Sequence, residues 1–313
     1  MNPKFNLKTN NQQNIEKQKF SKKNINKKFV WTPYLFLLPA IAFLALTSFL
    51  PIFQAIYLSF TNYDFIGNPS FIGWQNYGNL WGDRTFWKVM SNTLIYLIFV
   101  VPSLVILSLT LAILVNQKLR SIKFFRAVYY FPVIVSVVVA GLAWKWVYAE
   151  NGILNYFLSM ISGQTVKIPW LTSPHTAIFA IMAVVIWRGI GYYMVIYLAG
   201  LQAIPADLYE AAAIDGSDGW RKHWDITIPL MQPYIILVSI ISSISAMKIF
   251  EEVYIMSQGG PANSTKTVVY YLYDKGFTSL EMGYASAVGV FLFLIIFVIS
   301  ILTFKFINPA KTI

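Results

Sequence analysis

Six long apolar stretches, separated by short polar connections, decide what this chain can fold into. They run over residues 32–60, 92–116, 127–149, 174–199, 229–256 and 284–307. Each reaches the roughly 20 residues that a helix needs to cross the hydrocarbon core of a bilayer. The expectation is an all-α membrane protein, with six transmembrane helices making one domain over residues 31–313. Composition agrees. Of 313 residues 57% are hydrophobic and only 12% charged, too few charges for the surface of a soluble chain this long. The first stretch is expected to bend or break near Pro39 or Pro51. There are no cysteines and two histidines, which removes disulfides and thiolate metal sites and argues against a histidine-based one.

Residues 1–30 carry eight Lys, one Glu and many Asn and Gln, the composition of a disordered basic tail. The net charge of +11 suggests nucleic acid only while its location is ignored. A basic tail beside a span sets orientation or touches anionic lipid, so a membrane and no nucleic acid is expected. The tail, and the apolar run behind it, are too long for a cleaved signal. With the N-terminus inside, 16 of the 24 Lys and Arg fall on the cytoplasmic side and five outside. Lys145, Arg188 and Lys248 remain at membrane depth. This asymmetry predicts that both termini are cytoplasmic. It puts the connection 200–228 inside, and the connections 61–91, 150–173 and 257–283 outside.

The inner connection holds a distinctive polar stretch, Ile204 to Pro229, IPADLYEAAAIDGSDGWRKHWDITIP. Five carboxylates (Asp207, Glu210, Asp215, Asp218, Asp225) face Arg221 and Lys222. Pro205 suits a first helical turn, Asp207 the positive end of its dipole, and Leu208 to Ile214 a short Ala-rich helix. Gly216 fits the left-handed residue after a helix end. Ser217 or Asp218 can cap a second helix, with Trp220 and Trp224 on one face and Pro229 limiting its extent. Helices this short are marginal alone, so the unit is expected to dock on a partner.

The spacing Glu210-Ala211-Ala212, three residues, Gly216, nine residues, Ile226-Thr227-Ile228-Pro229 resembles the EAA loop of ABC importer permeases. Ile228 stands where that family has Leu. The longer form resembles the carbohydrate branch, and so do FIGWQNYGNLW (71–81), VYYFPVIVSVVVAGLAWKW (128–146), GGPANST (259–265) and GYASAVGVFLF (283–293). The likeness covers about residues 31–307. The spacing around GGP resembles the first permease of a maltose-type pair, without a large outer insertion.

The resemblance implies a permease subunit in the bacterial cytoplasmic membrane that moves a sugar or oligosaccharide. It implies a second homologous permease, two ABC ATPase subunits and an extracytoplasmic solute-binding protein as partners. Abundant Asn, Lys and Ile hint at an AT-rich genome, and so at a lipid-anchored binding protein. The chain itself would bind no cofactor, with ATP and Mg held on the ATPases. Glu210, Ala211, Ala212, Asp215, Gly216 and Pro229 would couple to an ATPase groove, Glu210 pairing a basic residue there. The sequence lacks a GxxxxGK[ST] phosphate loop and a Ser/His/Asp constellation, and His175 and His223 read as polar surface residues. No enzyme is expected.

Arg188, in VVIWRGIGYYMV (184–195), is the sharpest residue within an apolar stretch. A midplane Arg is costly and faces a cavity or a partner. Glu251 and Glu252 are candidate partners, with Lys248 a further charge at depth. A salt bridge between spans and direct contact with substrate both stay open. Ser239, Ser242, Ser243 and Ser245 read first as packing hydroxyls. The family likeness implies Gly189, Tyr192 and Ser242 as substrate positions, which joins them to Arg188 as the expected path. Val185, Arg188, Ser245 and Ala246 stand where the maltose-type pattern has Asn, Leu, Phe and Asn, which points to another sugar. Trp187 is shared with the family and fits packing. Trp31, Trp74, Trp81 and Trp170, near span ends, are expected interface anchors.

Two competing readings are a permease for a non-sugar solute, such as phosphate, polyamine or peptide, and an ion-coupled secondary transporter. The GGPANST and WQNY stretches weigh against the first. The second leaves the EAA spacing unexplained and wants mid-membrane carboxylates, whereas Glu251 and Glu252 lie near a span end.

Overall fold

The computed structural model describes residues 32–117 and 120–306. The tail expected over residues 1–30, and Trp31, lie outside them. The chain divides after Phe53 into two compact units. The first contains α1 (Thr32–Leu44) and a π turn over Ala45–Phe49. Its large apolar side chains, Phe36 and Phe43 among them, are exposed. The irregularity therefore falls between Pro39 and Pro51 rather than at either. Pro51 has no N–H to donate, and the Leu50 N–H just before it reaches back five residues to the Ala45 carbonyl.

The described residues continue as α2 (Leu50–Leu58), α3 (Gln75–Gly82), α4 (Arg84–Val115), α5 (Ile122–Ile134), α6 (Val137–Val147) and α7 (Ile153–Ser162). Then come α8 (Ala177–Ala203), α9 (Ala206–Ile214), α10 (Ile228–Leu230), α11 (Gln232–Met247), α12 (Glu251–Met256), α13 (Val268–Tyr273) and α14 (Met282–Phe306). No strand occurs among the described residues, only an isolated bridge between Thr61 and Phe71.

Four helical segments are long and apolar enough to cross a membrane: Tyr34–Leu58, Arg84–Val115, Ala177–Ala203 and Met282–Lys305. The number rises to six if each of two bent pairs counts as one span. The stretches 127–149 and 229–256 are thus not the simple helices that their hydropathy suggested. The first is α5 and α6 meeting at 97°. Pro132, three residues before the break, removes a backbone donor from the last turn of α5. The second bends by 59° between His223–Leu230 and α11, where Pro229 and Pro233 flank Met231. It then stops being helical again at Lys248 to Phe250.

The centre of the second unit is α4. Its buried positions Phe86, Val89, Thr93, Tyr96, Val100, Leu104, Ser108, Ala112 and Val115 recur every three or four residues, one continuous helix face. Along it pack α8 and α11, and Ile181, Val184, Met194, Tyr197 and Val238 complete that core. Gly191 permits the closest helix approach, since a Cβ there would lie 2.2 Å from the Tyr129 carbonyl oxygen of α5.

Sequence stretches quoted above for their family likeness turn out to hold the connections together. Buried Asn76 of WQNY donates to the carbonyls of Ser59 (2.9 Å) and Thr61 (2.8 Å). Asn92 of α4 donates to the carbonyls of Asn263 (2.7 Å) and Lys266 (2.9 Å), which pins the GGPANST loop. Trp74 and Trp81 are exposed. Trp170 is corrected: its Nε1 donates to Asn155 Oδ1 at 2.8 Å and it packs on the core, because its loop folds back under α7.

α4 starts at Arg84, eight residues before its apolar run, because Asp83 caps it. The Asp83 carboxylate accepts from the Thr85 N–H (2.8 Å), the Tyr284 hydroxyl (2.8 Å) and the Tyr271 hydroxyl. Burial pushes the carboxyl pKa up. The two hydroxyls and the backbone N–H groups of Phe86 and Thr85 outweigh that and hold it below the usual aspartate value. A lowered folded-state pKa gives stability that is present above the unfolded value of about 3.9 and lost as pH falls through the folded value. Asp83→Asn is expected to cost about 1–3 kcal/mol at neutral pH, from hydrogen bonds that lose their charge. In thermal unfolding of the detergent-solubilised chain, the gap between variant and parent should close below about pH 4. A gap that stays constant down to low pH would contradict this account.

Candidate functional site

The break after α11 opens onto a cavity of about 560 Å³, within the usual size range for small-molecule sites. Irregular backbone at membrane depth is tolerated where it lines such a space. Here Lys248, Ile249, Phe250, Glu251 and Glu252 form one wall, and Val185, Arg188, Gly189 and Tyr192 of α8 form another. Leu104 of α4 and Ser242 of α11 also line it. All seven residues that the sequence singled out for the path and for charge pairing, Arg188, Gly189, Tyr192, Ser242, Lys248, Glu251 and Glu252, are brought to this one space.

Their individual situations differ. Arg188 Nη1 lies 2.7 Å from Glu252 Oε1, with both side chains mostly buried. Of the two candidate partners, Glu252 makes the bond. Glu251 and Lys248 line the cavity and are exposed. Arg188 Nε is buried without a hydrogen-bond partner among the described residues. Tyr192 is exposed and lies edge-on to Tyr193 at 5.1 Å.

Gly189 leaves room for a neighbouring helix: a Cβ there would stand 2.8 Å from Leu104 Cδ2. Ser242 is fully buried and donates to the Ser239 carbonyl at 3.3 Å. It sits in the wall with its hydroxyl already used, as the packing role suggested for these serines requires. Trp187 lies edge-on to Trp144 at 5.4 Å, again packing.

The polar stretch 204–229 folds as two short pieces clamped together. Pro205 stands at the N-cap position, one residue before the first turn of α9 in which it was expected, and Asp207 lies in that turn. The helix ends as its glycine suggested. Gly216 has φ +81°, and the Ser217 N–H returns to the Ala212 carbonyl at 2.8 Å. The second piece differs from expectation. After a turn at Gly219 and Trp220, it becomes a π turn over His223–Thr227 that runs directly into α10. The Asp218 side chain accepts the adjacent Gly219 N–H and its backbone carbonyl accepts the Arg221 N–H, and the second helix runs over residues 221–230 with its middle widened to that π turn. Trp220 and Trp224 are both exposed. Ser217 Oγ donates to Asp225 at 2.6 Å, and Tyr209 and Thr227 hydroxyls meet at 3.1 Å. Glu210, Ala211, Asp215, Gly216 and Pro229 are exposed, while Ala212 is buried.

Two features of the site escaped sequence reasoning. The tyrosine pair on Asp83 joins residues 188 and 201 positions apart, and no spacing signals that. The serine-to-aspartate clamp of the coupling stretch was present as letters, Ser217 and Asp225, but only the tight turn at Gly216 and Gly219 brings them together.

The family described as "Binding-protein-dependent transport system inner membrane component" matches residues 78–312. The lactose transport system permease protein LacF of Rhizobium radiobacter is 34% identical over 291 residues, covering 91% of this chain and 96% of the relative. The arabinooligosaccharides transport system permease protein AraP of Halalkalibacterium halodurans is 35% identical over 273 residues, covering 86% of this chain and 85% of the relative. Among solved structures, a chain of a bacterial alginate ABC transporter, crystallised in complex with alginate pentasaccharide-bound periplasmic protein, superposes with a TM-score of 0.76. It covers 90% of this chain and 96% of its own length at 23% identity. At that identity the likeness is one of fold.

The pairing of Arg188 with Glu252 makes a direct prediction. Removing either partner alone should destabilise by roughly 1–3 kcal/mol, less than for a fully buried pair because both remain partly exposed. Arg188→Met and Glu252→Gln should be non-additive in a double-mutant cycle on thermal unfolding, whereas Arg188→Met and Glu251→Gln should add. Coupling to Glu251 instead of Glu252 would refute the assignment.

Proposed function

We propose that this chain, which belongs to the family of binding-protein-dependent transport system inner membrane components, is a permease subunit of an ATP-driven ABC importer for a sugar or oligosaccharide. The observation that carries the substrate class is its likeness, over nearly the full length of both chains, to permeases of lactose and arabinooligosaccharide transport systems. In this reading the chain spans the bacterial cytoplasmic membrane six times with both termini inside. It pairs with a second permease, two ATPase subunits that hold ATP and Mg, and a solute-binding protein outside, lipid-anchored in an AT-rich bacterium.

The exposed face of α9 supports a coupling role. Glu210 and Ala211 are open to a partner, and the Ser217–Asp225 and Tyr209–Thr227 clamps make the hook stiff enough to transmit movement. Closure of the ATPases would drag the hook and tilt α8 and α11, a two-state element biased by nucleotide. Sugar would pass the cavity beneath Arg188 and Tyr192, with an aromatic face and a guanidinium donor for its hydroxyls.

Deletion of the gene, followed by uptake of a labelled panel of sugars, phosphate, polyamine and peptides, tests this. Loss is expected for a sugar alone, with sugar binding by the isolated binding protein unchanged. Loss confined to a non-sugar solute would overturn the substrate class. Complementation with Glu210→Ala should restore the amount of chain in the membrane but leave uptake roughly tenfold lower, equivalent to about 1.4 kcal/mol of lost docking. Wild-type uptake with normal ATPase retention would remove Glu210 from the coupling role.

A further inference from the structure

We propose that α7 is an interfacial helix lying in the bilayer surface, with Ile153, Tyr156, Phe157, Met160 and Ile161 immersed in lipid. These five follow the i, i+3, i+4, i+7, i+8 spacing of a single helix face. All of them are 58–74% exposed, a dense apolar strip on a helix that does not itself cross the membrane.

The opposite face fixes which way the strip points. Asn155 is almost completely buried. Its Nδ2 donates to the carbonyls of Glu150 (3.1 Å) and Ile168 (2.9 Å), and its Oδ1 accepts from Trp170. Ser159 Oγ accepts the Val166 N–H at 2.8 Å. With one face bolted to its own loop, α7 cannot roll to hide the other.

Its position follows from the turn before it. The Gly152 N–H bonds the Ala149 carbonyl at 2.7 Å, and a Cβ at Gly152 would stand 2.4 Å from the Trp146 carbonyl oxygen. α7 therefore begins in contact with the last turn of α6, one half of a bent membrane segment. The exposed side chains Val139, Leu142 and Trp146 of α6, spaced three and four residues apart, form a stripe that runs to the last turn of α6, against which α7 begins. Whatever solvates that stripe within the membrane continues onto α7.

The chemistry selects lipid as the occupant. Residues 151–166 carry no charge, so the strip offers nothing for an ionic partner. Trp146 and Tyr156 have the amphipathic rings that settle at headgroup level. A helix of this kind sinks its apolar face about 5–10 Å into the headgroup boundary. Without basic residues, its insertion needs no anionic lipid. This placement is independent of the transported solute.

The chain has no cysteine, which makes the test direct. Phe157→Cys and Met160→Cys, with Lys167→Cys as the solvent control, take a nitroxide label in the assembled transporter, whose partner subunits are made cysteine-free. The complex is placed in phosphatidylcholine nanodiscs. Labels at 157 and 160 are expected to be at least about threefold more accessible to oxygen than to a nickel chelate, as in the acyl boundary, and the control the reverse. Adding anionic lipid should change neither ratio. Nickel-accessible labels at 157 and 160 would mean a water-exposed strip and overturn the proposal. Labels shielded from both reagents and cross-linkable to a partner subunit would mean a protein interface, and overturn it equally. Solute-stimulated ATP turnover in the labelled complexes establishes that each variant is assembled.

Discussion

A hydrogen bond of 2.7 Å from the Thr267 hydroxyl to the carbonyl of Ile249 holds together the part of the molecule that matters most. Ile249 lies where α11 has stopped and α12 has not begun. In an apolar surrounding an unpaired carbonyl there would cost several kcal/mol. Thr267 can supply the bond because its loop is held from the other side. Asn92 of α4 grips the carbonyls of Asn263 and Lys266, and Thr93 Oγ1 accepts the Val268 N–H at 3.0 Å. The break in turn aims Glu252 at Arg188. One chain of bonds thus runs from α4, through the loop, to the charge pair of the cavity. Loosening the loop would leave both the break and the ion pair unsupported.

The same reasoning explains the shape of the polar stretch. Helices as short as α9 do not persist alone, and this one is kept by contacts outside itself. Its last turn closes on the left-handed Gly216. The following piece is then tied back through Asp225 and Thr227, the latter fully buried beside Tyr209 and His223. What remains outward is a small, rigid face of Ala211 with the flexible arm of Glu210. In the proposed importer this face is where movement enters, and the continuous path from the π turn into α10 and α11 is where it leaves.

Much of this was legible in the sequence, and the parts that were not share a cause. Apolar length located the four helices long and apolar enough to cross a membrane, because hydrophobic transfer is additive along a helix. Length says nothing about direction, so the 97° turn at Val135 and Ser136 and the break at Lys248 to Phe250 were read as straight helix. Gly216 was legible because a positive φ demands glycine at that spot. The second helix did form, over residues 221–230, but it starts one residue after Trp220 and widens to a π turn at its middle, which no residue spacing announced. Trp170 looked like an interface anchor from its place near a span end. Only the fold shows Asn155 turning its indole inward. For Arg188 the residue type announced a buried partner, and geometry chose Glu252 over its neighbour.

The fold alone does not carry the choice of solute. This chain superposes on a chain from an alginate transporter and is aligned along most of its length with permeases of lactose and arabinooligosaccharide systems. Discrimination must therefore lie in side chains on a common frame. In the proposed importer the candidates in the cavity wall are Val185, Arg188, Ser245 and Ala246, together with Lys248, Glu251 and Glu252. The two cations and two carboxylates among them sum to zero, so the space as a whole neither attracts nor repels a charged ligand by net charge. What it offers is direction. Arg188, fixed at one edge by Glu252, keeps Nε turned to a place without an acceptor. An ion pair that satisfied the guanidinium completely would be purely structural. One that leaves a buried donor unpaired costs free energy, and in the proposed importer a rearrangement that brought an oxygen to it would recover that cost.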